Sequence, residues 1–348
     1  MSAPVAGPLP WLAPVISHAL SMTRAHALLL HGAAGDGLFE AAQAITQAWL
    51  CESTVGPGGH ACGRCGACRS LASGAHPDLH RLMPEELRLQ LAPAGAAEAD
   101  LGEGEGGSKA RRKPSRQIRV DEVRAAIDWI VTTSSRGGAK VVLLHPAEAM
   151  NVQAANALLK TLEEPPQGAR LLLTVSEPAQ LLPTVRSRCQ VVRLMPPDAN
   201  QARAWLQSHG LAQAEVLLAA CSNRPLDALE MASAGVDAQR WAALPAAVLA
   251  RQAAAFSGWT AGRVLDALQK LCHDGLALAA GGKPRFFPQS SLQRPASLPA
   301  LAAWSRALAT LSRRIDHPWN EGLLVESLLL QARAAWTGAS DRSDTLAS

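Results

Sequence analysis

Four cysteines in the first part of the sequence have the spacing of a metal site. Cys51, Cys62, Cys65 and Cys68 form the pattern C-x10-C-x2-C-x2-C, with a glycine inside each of the two short gaps. A structural zinc site takes four protein ligands in a tetrahedron, with zinc–sulfur distances of about 2.3 Å. Because four thiolates leave no open coordination position, the pattern predicts a structural zinc module over residues 51–68.

Two other interpretations of this cluster stay open: a redox-active CxxC pair, or unrelated buried thiols. His60 and His76 are additional candidate ligands, although a loop position accounts for each of them. The other three cysteines are scattered and are predicted to be core residues: Cys189, Cys221 and Cys272. The N-terminal stretch lacks the positive region of a secretory signal. Seven cysteines in such a chain favour a metal site or free thiols over a disulfide framework.

A glycine-rich stretch has the frame of a phosphate-binding loop but lacks the two side chains that handle a triphosphate. A working loop reads G-x-x-x-x-G-K-[ST], in which the lysine reaches the phosphates and the hydroxyl binds magnesium. Here Gly32, Gly35 and Gly37 keep the turn, while Leu38 and Phe39 stand at the lysine and hydroxyl positions. These five positions form a degenerate nucleotide site, at which ATP is not expected to bind.

The acidic half of a nucleotide-hydrolysing site is also missing. Such a site needs carboxylates at the end of a buried strand, where they hold magnesium and orient water. After the apolar run KVVLL (140–144), this sequence has His145 and Pro146. The joint loss of lysine, hydroxyl and carboxylates predicts that this chain does not hydrolyse ATP. The alternative is a turn unrelated to nucleotides, because glycine-rich turns between strands and helices are common.

The elements that must position these residues alternate between strands and helices. Apolar runs predict four strands. The first begins at residue 27, and the others cover 140–144, RLLLTVS and 190–194. Continuous apolar runs of this kind are typical of strands that are buried on both faces. Helical spacing predicts a helix over 38–50, with one face formed by Leu38, Ala41, Ala42, Ile45 and Trp49. Two more helices are predicted in IRVDEVRAAIDWIV and NVQAANALLKTLEEPP. This alternation predicts an α/β fold with a parallel sheet and helices on both faces.

Bulk composition sets weaker bounds. Hydrophobic residues make up 48% of the 348 residues, enough for a sizeable core, and no apolar run approaches the roughly 20 residues of a membrane span. We therefore expect a cytoplasmic protein without a membrane partner. The net charge of +4 is compatible with contact to DNA but is too small to indicate it.

Composition changes predict the domain boundaries. Residues 91–117 are rich in alanine and glycine, first acidic and then basic, which predicts a disordered insertion. The stretch MPPDAN ends the alternating pattern, and only helical periodicities follow it. We therefore expect three domains: residues 1–196 with the zinc module and the insertion, a small helical domain over 197–237, and a larger helical domain over 238–348.

Several motifs together resemble one family. The stretches AMNVQAANALLKTLEEPP and LLPTVRSRCQ, and the zinc spacing followed by HPD (76–78), resemble the clamp-loader subunits of bacterial DNA polymerase III, within the AAA+ ATPases. The resemblance covers residues 25–235, and HPWNEGLLVESLLLQAR (317–333) more loosely resembles the family's C-terminal collar. The zinc cysteines and the Ser-Arg-Cys motif also occur in the ATP-hydrolysing gamma/tau members, from which the altered loop distinguishes this chain.

The resemblance implies a RecA-like AAA+ domain with a zinc module, a helical lid and an all-α collar that oligomerises. It implies a ring with gamma/tau and delta subunits, which opens the sliding clamp and loads it on primed DNA as part of the DNA polymerase III holoenzyme. Arg188, within Ser187-Arg188-Cys189, is implied to be an arginine finger, reaching in trans into the ATP site of an adjacent gamma/tau subunit. Arg186 is a second candidate, and a surface arginine paired with a carboxylate is the alternative.

Two further positions agree with a lost nucleotide site. Thr174 ends a buried strand where the family has a sensor residue, and Leu226 stands where active relatives carry an arginine before Asp-Ala-Leu. Arg224 lies only two residues before Leu226 in the sequence, so the loss of this arginine stays open. Two rival functions remain: a divergent, active AAA+ ATPase, and a zinc-containing protein that binds DNA on its own.

Overall fold

The computed structural model describes residues 9–55, 59–91, 114–315, 317 and 319–338. The chain forms two compact units, Met1–Asp198 and Ala199–Ser348. Most of the predicted disordered insertion, residues 92–113, lies outside the described residues. Among the helices that the structure describes, none combines the length and the apolar character that crossing a bilayer requires.

The first unit contains a five-stranded parallel sheet in the order β2-β3-β4-β1-β5. The strands are β1 (Ala27–His31), β2 (Leu79–Leu82), β3 (Lys140–Leu144), β4 (Ala169–Val175) and β5 (Gln190–Arg193). All pairs run parallel, so the carboxyl ends of the five strands share one edge of the sheet. The predicted parallel sheet is confirmed, and β2 is a strand that the apolar pattern did not predict.

Seven helices accompany this sheet in the described part of the first unit. They are α1 (Ala13–Ser21), α2 (Leu38–Leu50), α3 (Gly66–Ala72), α4 (Glu85–Leu91), α5 (Val120–Ile130), α6 (Val152–Glu163) and α7 (Pro183–Arg186). Local capping explains where α5 and α6 begin. The Asn151 side chain accepts a hydrogen bond from the Ala154 N–H at 2.8 Å, and Glu122 accepts one from the Arg119 N–H. Both contacts satisfy backbone donors that a helix start leaves unpaired.

The core of this unit lies on both faces of the sheet. Every residue of β3 is buried, as expected for a strand covered on both sides. On one face, α5 and α6 bury Val123, Ile130 and Leu158 against the strands. On the other face, Leu50 of α2 and Leu71 of α3 pack against Val141.

The described part of the second unit is helical. Its helices are α8 (Ala199–Ser208), α9 (Ala214–Ala220), α10 (Pro225–Ser233), α11 (Ala238–Leu249), α12 (Ala261–Ala279), α13 (Leu298–Ser312) and α14 (Glu321–Thr337). The buried Asp274 carboxylate organises the long loop after α12 by accepting from the backbone N–H groups of Arg285, Phe286 and Phe287, each at 2.8 Å. The division of this unit at residue 237 stays a prediction.

Candidate functional site

The four cysteine sulfurs form a compact cluster with the dimensions of a tetrahedral metal site. Their Sγ atoms all lie within 4.8 Å of one another. Cys51 and Cys65 are 3.9 Å apart, Cys62 and Cys68 are 4.0 Å apart, and Cys51 and Cys68 are 3.7 Å apart. A tetrahedron of sulfurs at 2.3 Å from a central zinc has edges of about 3.8 Å. The cluster can therefore hold a structural metal ion with little rearrangement.

Short backbone elements place each sulfur. Cys51 directly follows α2, and Val55 and His60, which lie between Cys51 and Cys62 in the sequence, pair in an antiparallel β-bridge. Cys65 is the N-cap of α3 and accepts from the Cys68 N–H at 3.4 Å. Cys62 accepts from the N–H groups of Arg64 and Cys65 at 3.5 and 3.3 Å. Backbone donors aimed at sulfur stabilise the thiolate, which is the form that binds metal.

The electrostatic environment within the cluster differs from one thiol to the next. The Cys68 N–H is the main factor that lowers the pKa of Cys65 to about 6, and the Arg64 N–H is the main factor that lowers the pKa of Cys62. Burial raises the pKa of Cys68 to about 12. Because a metal ion takes all four as thiolates, its binding must displace protons from the cluster.

Charged side chains fasten this module to the sheet. The Arg136 guanidinium pairs with the Glu52 carboxylate, next to Cys51. The buried Asp78 carboxylate holds the segment that carries Arg136, because it accepts from the Ser134 hydroxyl and from the N–H groups of Ser135 and Arg136, at 2.8 to 3.1 Å. The HPD stretch thus has a structural role that sequence reasoning left unassigned.

The other histidines and cysteines named from sequence lie outside the four-cysteine cluster. His60 Nε2 faces the Ser17 hydroxyl at 3.4 Å, and the buried His76 accepts from the Asp78 N–H through Nδ1. Cys221 and Cys272 are buried, and Cys189 is partly buried against the core of the first unit.

Two of the three glycines in the degenerate loop, Gly32 and Gly37, are required by the fold itself. Gly37 has φ +96°, a conformation that side chains other than glycine rarely adopt, and it caps α2. A Cβ on Gly32 would lie 2.7 Å from Leu194 Cβ, just after β5. The loop frame is therefore needed for the chain to leave β1 beside β5 and enter α2, whether or not a phosphate binds there.

The N-terminal segment packs against this loop. A Cβ on Gly37 would lie 2.8 Å from Leu9 Cδ1 and 3.3 Å from Leu12 Cδ1. The Trp11 indole N–H donates to the Asp36 carbonyl at 2.6 Å. Leu9, Trp11 and Leu12 are all buried. This contact was not predicted, although apolar residues at positions 9, 11, 12, 15, 16 and 19 have the spacing of an amphipathic helix.

A ring pair lies at the carboxyl edge of the sheet, formed by the residue that follows β3 and a residue in the first turn of α2. The Phe39 ring contacts the His145 ring at a centroid distance of 4.6 Å. His145 Nδ1 and the Thr174 hydroxyl are 2.6 Å apart, and both residues are buried. Burial lowers the pKa of His145 to about 4, which makes the imidazole neutral at pH 7. An aromatic ring and a neutral imidazole do not fit a magnesium–triphosphate group, which requires cations and carboxylates.

We expect His145 to make the protein less stable as the pH falls. The imidazole takes up a proton near pH 6.5 in the unfolded chain and only near pH 4 in the folded chain, so the unfolded state binds more protons between these values. Between pH 7 and pH 4.5, this difference lowers the free energy of unfolding by about 2 kcal/mol.

The measurement compares the wild-type protein with His145→Asn by urea denaturation at both pH values. Asparagine can still bond the Thr174 hydroxyl but does not titrate, so its stability should fall less over this range. Contributions from the cysteine cluster are shared by both proteins and cancel in the difference. Equal losses of stability in the two proteins would contradict the assignment.

Arg188 lies at the opposite edge of the sheet from the loop. It stands two residues before β5, whereas the glycine loop follows the carboxyl end of β1, the strand paired with β5. Arg188 Nε donates to Glu163 Oε1 at 2.7 Å, Nη2 contacts the same oxygen, and Nη1 donates to the Thr184 carbonyl at 2.9 Å. The ion pair with a carboxylate, weighed as an alternative for Arg188, is therefore present in this chain.

The neighbouring candidates have separate partners. Arg186 is exposed and its Nη1 lies 3.5 Å from the Pro178 carbonyl. In the second unit, Arg224 pairs with Asp227 at 2.8 Å and also donates to the Cys221 carbonyl. Glu163 was not singled out from the sequence. The available signal was its place in LLKTLEEPP, one of the motifs that carry the family resemblance, and only the structure shows that it lies beside Arg188.

The parallel sheet with a glycine loop after β1, together with the helical second unit, is the architecture of an AAA+ protein. A family model described as "DNA polymerase III, delta subunit" matches residues 14–198, more than half of the chain. The DNA polymerase III subunit delta' of Escherichia coli is 32% identical over 291 residues, which cover 77% of this chain and 78% of that protein. The chain belongs to the DNA polymerase III delta-prime family.

Two further comparisons give the extent of these similarities. The delta' subunit of Pseudomonas aeruginosa is 41% identical over 220 residues, or 62% of this chain, and the chain spans 58% of that relative's length. Among solved structures, a gamma subunit-related protein of DNA polymerase III from Thermotoga maritima has a TM-score of 0.48 at 15% identity. That alignment covers 93% of this chain and 99% of the other.

Proposed function

We propose that this chain is a clamp-loader subunit of DNA polymerase III that hydrolyses no ATP itself and supplies Arg188 to the ATP site of an adjacent gamma/tau subunit. In this proposal the degenerate loop, formed by Gly32, Gly35, Gly37 and the side chains that follow them, serves the fold alone. The active chemistry takes place in the neighbouring subunit.

The observation that carries this proposal is the position of Arg188 relative to its own loop. The two are separated by the length of β1, which at about 3.3 Å per residue is roughly 13 Å. An arginine side chain does not span that distance. Arg188 therefore has no route to a nucleotide on its own chain, while its place on a partly exposed edge leaves it accessible to a neighbour.

The guanidinium group suits the role that we assign to Arg188. It keeps its positive charge at any physiological pH and presents several donors in a planar fork. Such a group can stabilise the negative charge that develops on the oxygens of a transferring phosphoryl group. In this structure the Thr184 carbonyl and the Ser187 hydroxyl oxygen accept hydrogen bonds from Arg188 Nη1, at 2.9 and 3.4 Å.

The remaining parts of the proposal concern the assembly. The partners are the gamma/tau and delta subunits and, through the complex, the sliding clamp and primed DNA. The relatives named delta' and tau among DNA polymerase III subunits support this membership. We assign zinc to the cysteine cluster, a lid role to residues 197–237 and a collar role in oligomerisation to residues 238–348.

Reconstitution tests the proposal. The chain is mixed with gamma/tau and delta subunits, the complex is isolated, and its ATP hydrolysis is measured with and without this chain. We expect stable incorporation and a rate that depends on this subunit, while the isolated chain shows no turnover. Turnover by the pure isolated chain would favour an active ATPase. Salt-sensitive DNA binding without assembly would favour a stand-alone DNA-binding protein.

A further inference from the structure

The contacts of Arg188 occupy the same groups that an action in trans requires. Nε and Nη2 both contact Glu163 Oε1, and Nη1 bonds the Thr184 carbonyl. All three guanidinium nitrogens are thus engaged within the chain. A phosphate oxygen in a neighbouring subunit would have to accept hydrogen bonds from the outer nitrogens, Nη1 and Nη2.

We propose that Glu163 is a positioning residue that latches Arg188 within its own chain and competes with the neighbouring ATP for it. The inference rests on the proposed function, since it assumes that Arg188 acts in trans. It adds a regulatory step: the guanidinium must leave the carboxylate before it can reach the γ-phosphate.

Competition, and not assistance, follows from charge and geometry. Glu163 is the last residue of α6, and its carboxylate lies directly against the guanidinium. A carboxylate in this place neutralises the positive charge and repels an approaching phosphate. The latched and the engaged arrangements therefore exclude each other, and each takes population from the other.

The exposure of the pair sets the strength of the latch. The side chains of Arg188 and Glu163 are 34% and 49% exposed, so water screens their attraction. Ion pairs of this kind shift an equilibrium by about two- to fivefold. A latch of this strength can hold the finger in the resting complex and release it when the neighbouring subunit closes on ATP.

The test uses the reconstituted loader with Glu163→Gln. Glutamine keeps the size of the side chain and removes its charge. We expect ATP hydrolysis without DNA to rise about two- to fivefold, while the DNA-stimulated rate stays unchanged because the finger is already released there. Glu164→Gln is the matched control, because it removes the same charge from the next, exposed residue, which does not contact Arg188 in the structure. A merely structural role for Glu163 would not change the ratio of the two rates.

A double-variant cycle separates the latch from the proposed function. In the Arg188→Ala background, Glu163→Gln should have no further effect, since the latch acts only through the arginine. If Arg188→Ala impairs hydrolysis but Glu163→Gln leaves the DNA-free rate unchanged or lowers it, the latch is overturned and the finger stands. If Arg188→Ala has no effect on hydrolysis, the proposed function is overturned and the latch with it.

Discussion

Replacing Arg188 by alanine should lower ATP hydrolysis by about 10³-fold or more at the gamma/tau site that we propose it serves, while the chain still folds and assembles. Arginine fingers supplied in trans have effects of about 10³ to 10⁵ on the hydrolysis rate in other nucleotide hydrolases. The complete loader has other ATP sites, so its total rate of ATP hydrolysis should fall at least by the share of that rate that comes from this one site. The measurement is DNA-stimulated ATP hydrolysis by the reconstituted complex, together with its subunit composition.

Folding should survive this substitution because the side chain lies at the surface. Its ion pair with Glu163 is partly exposed, and pairs of this kind contribute about 0–1 kcal/mol to stability. Arg188→Lys adds information, because lysine keeps the charge but loses the planar fork, and it should recover only part of the rate.

Arg186→Ala is the matched control for position. Arg186 is exposed, two residues away in the same motif, and bonds a backbone carbonyl instead of a carboxylate. We expect this variant to hydrolyse ATP like the wild-type complex. A loss of rate in Arg186→Ala with full activity in Arg188→Ala would transfer the role to Arg186, and full activity in both would remove the finger altogether.

The elements with the strongest apolar patterns are the ones that the sequence predicted well. The predicted helix over 38–50 and the predicted strand over 140–144 have the observed bounds, Leu38–Leu50 and Lys140–Leu144. Both lie in the middle of the fold, where burial on one or two faces imposes a clear periodicity. The cysteine cluster was predictable for a similar reason, because metal ligands must occur at spacings that a short loop can close.

What the sequence did not predict depends on contacts between distant residues. The edge strand β2 is short and alternates Leu79, His80, Arg81 and Leu82, so it lacks the apolar run of a central strand. The approach of Leu9 to Gly37 likewise joins segments that no local pattern connects. The ion pair between Glu163 and Arg188 also could not be predicted, because it depends on how the end of α6 lies relative to the start of β5.

The glycine loop shows how backbone geometry can constrain a motif independently of nucleotide binding. Gly32 is needed where β1 passes Leu194, and Gly37 is needed for the left-handed turn into α2, so both are constrained by backbone geometry. Leu38 and Phe39 are constrained only by what fills the space beside them. Backbone geometry and packing are thus sufficient to account for these two glycines, independently of any nucleotide.

Replacing one cysteine of the four-cysteine cluster should have a large effect on metal binding and on the free energy of unfolding. We expect one zinc ion per wild-type chain and loss of tight binding in Cys65→Ser. Cys65 is the N-cap of α3, and serine caps helices well, so this variant removes the sulfur ligand while it keeps the cap. A ligand present at a thousand times its dissociation constant stabilises the folded protein by about 4 kcal/mol. Loss of the metal should therefore lower the free energy of unfolding by roughly that amount.

The measurement combines metal analysis with urea denaturation, and chelation of the wild-type protein should reproduce the variant. Cys272→Ser is the control, because Cys272 is a buried cysteine outside the cluster, and this variant should keep its zinc whatever its stability. Four thiolates also suit iron, so a coloured protein with stoichiometric iron would correct the metal and keep the site. A wild-type chain prepared without chelator that carries no metal would overturn the site, because the close approach of four sulfurs would then need another cause.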